Sequence, residues 1–388
     1  MIWRAFVLAL LPVTVMAEGR GDALAALLEE VPQAVASPAG EGIAVYFSDF
    51  GAAAPLVAAM EGEVIPGMNG PLGWHARANM LILGDSIGTT AGFDWPALLG
   101  FGLGDLRQAA TAGRPPDVMT VLTLDPAVIP AIGPALTANG YAPDDRLGQI
   151  VFWRGEADHA VDFNRRNPSD PFGGSLGQSS RVLVQGDMLF QAAGWPVLAA
   201  TLGEFPVVAD SEGVQALLAA LDNQGLGEGA LVRAVLLPRS ESLAIAALPI
   251  SLDMTDEEIA AALEVLGTAP DPEVQALALA MVSGPALIGD IASPGEAVGL
   301  LALTFTDRTQ AVAMGDHVAR AWGQAPSTVS GESFSNMLGP VRVIVTGKGP
   351  FVTLLIVPGT TGPDLRNAGF DMLHQAWLMR DMVFLPRL

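Results

Sequence analysis

Two short patterns carry the residue types that could do chemistry. Gly84-Asp85-Ser86 follows the apolar run Met80-Leu81-Ile82-Leu83, and Asp371-Met372-Leu373-His374 sets a carboxylate three residues before an imidazole. On a helix that spacing places Asp371 and His374 on one exposed face. A third cluster, Glu156, His159 and Asp162 beside Asp158, repeats the three-residue rhythm. On a helix it would suit a divalent cation. Gly155 and Pro168 bracket a polar stretch, however, that reads as a solvated loop, so no metal ligand is expected there. His75, His159, His317 and His374 are scattered without H-x-x-x-H spacing, which excludes a zinc-protease helix.

Glycine-rich phosphate loops fail on spacing. Gly100-Phe101-Gly102-Leu103-Gly104 lacks the G-x-G-x-x-G offsets and follows a helix. Gly347-Lys348 is followed by Gly349 instead of the Ser or Thr of a P-loop, and reads as a hairpin turn. No cofactor is expected. The mature tryptophans Trp74, Trp95, Trp153, Trp195, Trp322 and Trp377 are dispersed, which suits core packing better than a sugar platform.

Gly84-Asp85-Ser86 and the Asp371-x-x-His374 pair together resemble the outer blocks of the SGNH, or GDSL-type, hydrolases. The resemblance implies that Ser86 is the nucleophile, His374 the base and Asp371 the carboxylate that orients it. The family's G-x-N-D block has no counterpart here, and the intervening segments do not alternate strand and helix. A plain turn at Gly84-Asp85-Ser86 is the competing reading.

The elements around these residues follow from composition and periodicity. Met1-Ile2-Trp3-Arg4, the apolar run Ala5 to Met16 and Val15-Met16-Ala17 have the order of a secretory signal peptide, so cleavage after Ala17 and export are expected. The run is too short for a membrane-spanning helix, and no later span is expected. Of 388 residues, 51% are hydrophobic and 15% charged, enough for sizeable cores. The net charge of −22, from 41 acidic and 19 basic residues, disfavours nucleic acid and anionic membrane surfaces. Cysteine is absent, which excludes disulfides, thiolate nucleophiles and thiolate metal sites.

Helical spacing predicts a helix over 22–35, and a strand is expected over 42–47 with a helix after Ser48-Asp49. Short helices are expected over 95–99 and 103–110. A strand over 118–124, a helix opened by Asp125-Pro126 and closed by Asn139-Gly140, and a strand over 149–153 follow. Residues 181–185 and 188–192 form a hairpin, with helices near 195–202 and 211–221. The glycine-bearing 223–229 reads as a linker, followed by a strand over 230–237. Thr255-Asp256-Glu257-Glu258 is a capping box ahead of a helix to Leu266, and Val274–Ile288 reads as a buried helix running into a strand. A strand over 297–305, a helix over 307–322, a hairpin over 341–346 and 351–357 and a helix over 363–379 close the chain.

The resulting expectation is an α+β protein: a signal peptide at 1–17, an N-terminal domain at 18–225 and a C-terminal domain at 230–388. Each domain would have helices packed on one face of a mainly antiparallel sheet. The recurrence of strand, helix, strand, strand, helix from Val118 and again from Ala297 points to a possible internal duplication. Tyr46-Phe47-Ser48-Asp49, Asn139-Gly140-Tyr141 and Arg380-Asp381-Met382-Val383-Phe384-Leu385 make the chain similar to uncharacterised exported proteins of high-GC bacteria. The function expected is non-catalytic: a periplasmic binding or envelope-assembly protein with a small-molecule or envelope-protein partner. The alternative is an esterase using Ser86, Asp371 and His374.

Overall fold

Tyr46 packs to one side of its strand while Val45 and Phe47 pack to the other, and this period-two split recurs in every long strand. Our computed structural model describes residues 19–38, 42–60, 70–80, 94–246, 271–361 and 365–387. The stretch expected as a signal peptide, Gly84-Asp85-Ser86 and the capping box at Thr255 lie outside the described residues.

Twelve strands form one antiparallel sheet: β1 Val45–Asp49, β2 Leu106–Arg114, β3 Asp117–Leu124, β4 Ala142–Asp144, β5 Val151–Arg154, β6 Ser180–Gln185, β7 Met188–Ala192, β8 Ala230–Leu237, β9 Ala286–Ser293, β10 Glu296–Phe305, β11 Arg342–Thr346 and β12 Phe351–Gly359. Their spatial order is β11-β12-β10-β9-β8-β1-β2-β3-β7-β6-β5-β4. The helices are α1 Asp22–Leu28, α2 Gln33–Ala36, α3 Phe50–Ala59, α4 Pro71–Ala78, α5 Trp95–Leu99, α6 Ile129–Ala138, α7 Trp195–Ala200, α8 Glu212–Leu221, α9 Glu241–Ala246, α10 Pro272–Val282, α11 Arg308–Gln324, α12 Phe334–Leu338 and α13 Ala368–Leu378.

The strand order repeats itself. β1, β2 and β3 form a meander, a helix (α6) follows, and the last strand of the half, β7, returns beside β3. β8, β9 and β10 do the same, followed by α11 and by β12 beside β10. The halves meet where Phe47 pairs with Ala234 across β1 and β8. The sequence boundary near 225–230 therefore falls inside one sheet instead of between two. The 223–229 stretch is gripped by Arg20, whose guanidinium donates to the carbonyls of Leu221, Asn223, Gly227 and Gly229.

Helices cover both faces of the sheet, not one as the pattern suggested. On one face Phe47, Val121, Leu236 and Leu354 pack with Leu24, Leu27, Leu198 and Leu217 of α1, α7 and α8. On the other, Leu301, Leu303 and Leu355 pack with Met314, Val318 and Phe370 of α11 and α13. Ala109, Leu122 and Leu189 of the first half pack with Leu56, Leu99 and Ile132 on that same side. Burial on both faces explains why β8, β9 and β10 are apolar on both sides apart from Arg233, Asp290 and the strand ends.

Local chemistry sets the ends of the elements. The Asp49 carboxylate caps α3 by accepting from Ala52 N at 2.7 Å. Pro32 divides the segment expected as one helix into α1 and α2. Residues 106–110, expected as helix, are instead the start of β2, whose ladder partners on both sides override an alanine-rich sequence. Residues 342–346 pair with 352–356 in the expected hairpin, with Gly347 at φ +94°. The closing Met382-Val383-Phe384-Leu385 is buried, and Phe384 lies 4.9 Å from both Trp322 and Phe334.

Candidate functional site

Two features converge where the halves of the sheet join: a buried layer of charge and an open cleft. The charge begins with single ionised residues inside apolar strands. Arg233 sits within Ala-Leu-Val-Arg-Ala-Val-Leu-Leu of β8, and Asp290 within Ala-Leu-Ile-Gly-Asp-Ile-Ala-Ser of β9. A β-bulge between Leu231 and Arg233 puts Arg233 directly opposite Asp290. Arg233 Nε donates to Asp290 Oδ2 at 2.8 Å. Arg77 reaches the same carboxylate from α4 with both terminal nitrogens, one of them donating to Oδ1 at 2.9 Å. Asn367 Nδ2 donates to Asp290 Oδ1 at 2.7 Å, while its own carbonyl oxygen caps α13.

Asp290 is 0% and Arg77 1% exposed. Burial alone raises the pKa of Asp290, but the charges of Arg77 and Arg233 and the hydrogen bonds from Arg77 and Asn367 outweigh it and hold the carboxyl below its ordinary value. One carboxylate thus ties together α4, β8, β9 and the residue capping α13.

Asp371 and His374 lie beside this layer. Asp371 Oδ1 is 3.0 Å from Arg233 Nη2. His374 stacks on Phe370, with ring centroids 5.7 Å apart, and lies 5.8 Å from Trp377. Its Nε2 is buried and has no hydrogen-bond partner among the described residues. Burial, and then the Arg233 charge, lower its pKa to about 4. An imidazole with that pKa is a weak general base at neutral pH. Met80, six residues before Ser86, packs in the apolar cluster that holds Phe370 and Leu373, and its N–H donates to Ser48 Oγ at 2.9 Å. Ser86 itself lies outside the described residues.

The cleft has a volume of about 510 Å³. Leu56 of α3 and Met60 just past its end line it from the first half, and Ser293 and Ala297 flanking the β9–β10 turn, with Thr360 and Thr361 just past β12, line it from the second. Its lining carries hydroxyls and methyl groups but no ionised side chain among the described residues. That volume and chemistry suit a small ligand. A 570 Å³ hollow near Arg20, Asp49, Asp222 and Glu228 is larger but more polar.

The remaining sequence candidates have local partners. His159, at φ 57°, places Nε2 3.2 Å from Asp117. Asp162 accepts from Asn164 N at 3.0 Å and pairs with Arg165, and Asp158 accepts from Trp195 N at 3.0 Å. Glu156 lines a separate 220 Å³ hollow. Two of the dispersed tryptophans, Trp153 and Trp195, are brought 6.5 Å apart, with the Arg146 guanidinium 4.2 Å from the Trp195 ring.

Sequence reasoning did not single out Arg77, Arg233, Asp290 or Asn367. The signal was present for two of them, because an ionised residue alone inside an apolar strand must find an internal partner.

No family model matches the chain, and no curated protein does. Two solved structures of TP0453 are similar over most of the chain. Crystal form I shares 10% identity at a TM-score of 0.33, covering 90% of this chain and 96% of that one. Crystal form III shares 9% at 0.32, covering 85% and 91%. Similarity at this level carries no argument about function.

Proposed function

We propose that this chain is an exported, non-catalytic binding protein of the cell envelope, whose ligand is an uncharged, largely apolar small molecule held in the cleft between α3 and the β9–β10 turn. The cleft itself carries the reading: its lining offers hydroxyls and alkyl groups, with no ionised side chain among the described residues, which matches a neutral ligand with a few polar atoms. The signal-peptide pattern supports export. The engagement of Asp371 by Arg233, rather than by His374, supports a role without nucleophilic catalysis.

The test is a thermal-shift screen of the processed chain against neutral apolar envelope metabolites, sugars and divalent ions, repeated with Ala59→Trp. Ala59 is exposed at the cleft, so an indole there obstructs it without entering the core. A neutral apolar compound should raise the melting temperature of the wild type only. A ligand at one hundred times its dissociation constant adds about 2.7 kcal/mol. Stabilisation by ions or sugars alone, or equal stabilisation of Ala59→Trp, would contradict the assignment.

A second reading is favoured by the position of Met80, six residues before Ser86 in sequence, in the cluster of Phe370 and Leu373. It is the esterase using Ser86, Asp371 and His374. Hydrolysis of p-nitrophenyl acetate that disappears in Ser86→Ala and in His374→Ala would establish it in place of the first.

A further inference from the structure

We infer that the excursion between β5 and β6 is a docking surface for the phospholipid–water interface. Three large apolar side chains stand in solvent there: Phe163 at 66%, Leu176 at 49% and Val161 at 47% exposure. They occupy two limbs of one segment that run side by side. Val161 bridges to Gln178, Asp162 N donates to Gly177 O at 3.1 Å, and Asn167 N donates to Gly174 O at 2.8 Å.

The mount is rigid. Buried Asp170 accepts from Tyr141 Oη at 3.1 Å and Phe172 N at 2.8 Å and pairs with Arg154. Gly177 packs so closely on Asp162 that a Cβ would lie 2.0 Å from the Asp162 carbonyl oxygen. Exposed phenyl and leucyl groups are therefore held out by the fold. Solvation of that much apolar surface is unfavourable unless something covers it.

Charge identifies the cover. Arg165 and Arg166 follow Phe163 after Asn164 and are the one adjacent pair of basic residues in the chain. Both are exposed. Arg165 shares Asp162 at 3.4 Å, while Arg166 Nε donates to the Ser175 carbonyl at 2.7 Å and has no carboxylate partner among the described residues. An apolar tip with guanidinium groups at its base matches the acyl boundary and the phosphates above it, with Arg–phosphate contacts bidentate where geometry permits. A stable protein interface uses about 20–30 residues a side, far more than this tip presents. The net charge of −22 repels a strongly anionic bilayer, so the surface is zwitterionic and the contact confined to this tip.

The experiment is co-sedimentation of the processed chain with sucrose-loaded vesicles of phosphatidylcholine and phosphatidylethanolamine. The wild type should pellet with the vesicles, and Phe163→Ser/Leu176→Ser should bind at least about tenfold more weakly. Adding phosphatidylglycerol should reduce wild-type binding, and salt should restore it. Phe163→Trp supplies a second readout, a blue shift of its emission on vesicle addition over that of the wild type. No co-sedimentation, equal binding by the double variant at an unchanged melting temperature, or no shift in Phe163→Trp would overturn the proposal.

Discussion

Removing the Asp290 carboxylate should destabilise the protein more than almost any other single substitution. In Asp290→Ala, Arg77 loses both of its ion-pair hydrogen bonds, and its Nε already lacks a partner. Its side chain is 1% exposed, so water cannot replace the carboxylate without opening the interface between α4 and the sheet. Arg233 retains Asp371, and Asn367 retains the Val298 carbonyl. The uncompensated charge is thus mainly that of Arg77, and breaking a buried pair in this way costs about 3–5 kcal/mol. Urea unfolding followed by circular dichroism should show the midpoint falling by the corresponding amount at an unchanged slope. The companion Arg77→Met/Asp290→Ala removes the orphaned charge and should recover at least half of the loss. A loss below about 1 kcal/mol, or a double variant no more stable than Asp290→Ala, would refute the reasoning.

Acid should weaken the fold in two stages. Burial lowers the pKa of His75 to about 4, so between its unfolded value near 6.5 and about 4 only the unfolded chain takes up its proton. Stability from this group therefore falls as pH drops through that window, by about 2 kcal/mol between pH 7 and pH 5. His75→Gln should flatten that limb in chemical unfolding at the two pH values. His374, shifted the same way, adds to it, and Asp290, whose folded pKa is depressed, adds its loss only below the ordinary carboxylate range. Gly299→Ala should destabilise by about 1–3 kcal/mol, because the new methyl would lie 2.4 Å from the Gly369 backbone and push α13 off β10; a melting curve matching the wild type would contradict that contact. Phe384→Ala should cost about 3–5 kcal/mol by emptying the pocket formed with Trp322 and Phe334, as calorimetry would show.

Much of the fold was legible where a local signal and tertiary context agree. Asp125-Pro126 opens a helical turn, Asp307 caps α11, and Gly347 turns the last hairpin, all through chemistry confined to a few residues. β2 was not legible, because Ala109, Ala110 and Ala112 favour helix until β1 and β3 offer ladders on both sides. Nor was the joining of the halves, since Phe47 and Ala234 are far apart in sequence and their pairing leaves no periodicity of its own. The helices on both faces match the largely apolar β8 to β10, a pattern equally compatible with short buried helices. At the candidate site, Asp371 and His374 were found by their spacing, yet the groups that govern them, Arg233 and Phe370, come from a strand and from the neighbouring turn of α13. The cleft has no sequence signature, because alanine, serine and threonine line it only through the meeting of α3 with the β9–β10 turn.

Native mass spectrometry of the protein recovered from its native cells tests the central claim most directly. The account predicts a chain beginning at Glu18 that carries a non-covalent neutral adduct, with the adduct absent from Ala59→Trp prepared in the same way. An unliganded chain in both preparations, or an adduct retained by Ala59→Trp, would contradict it.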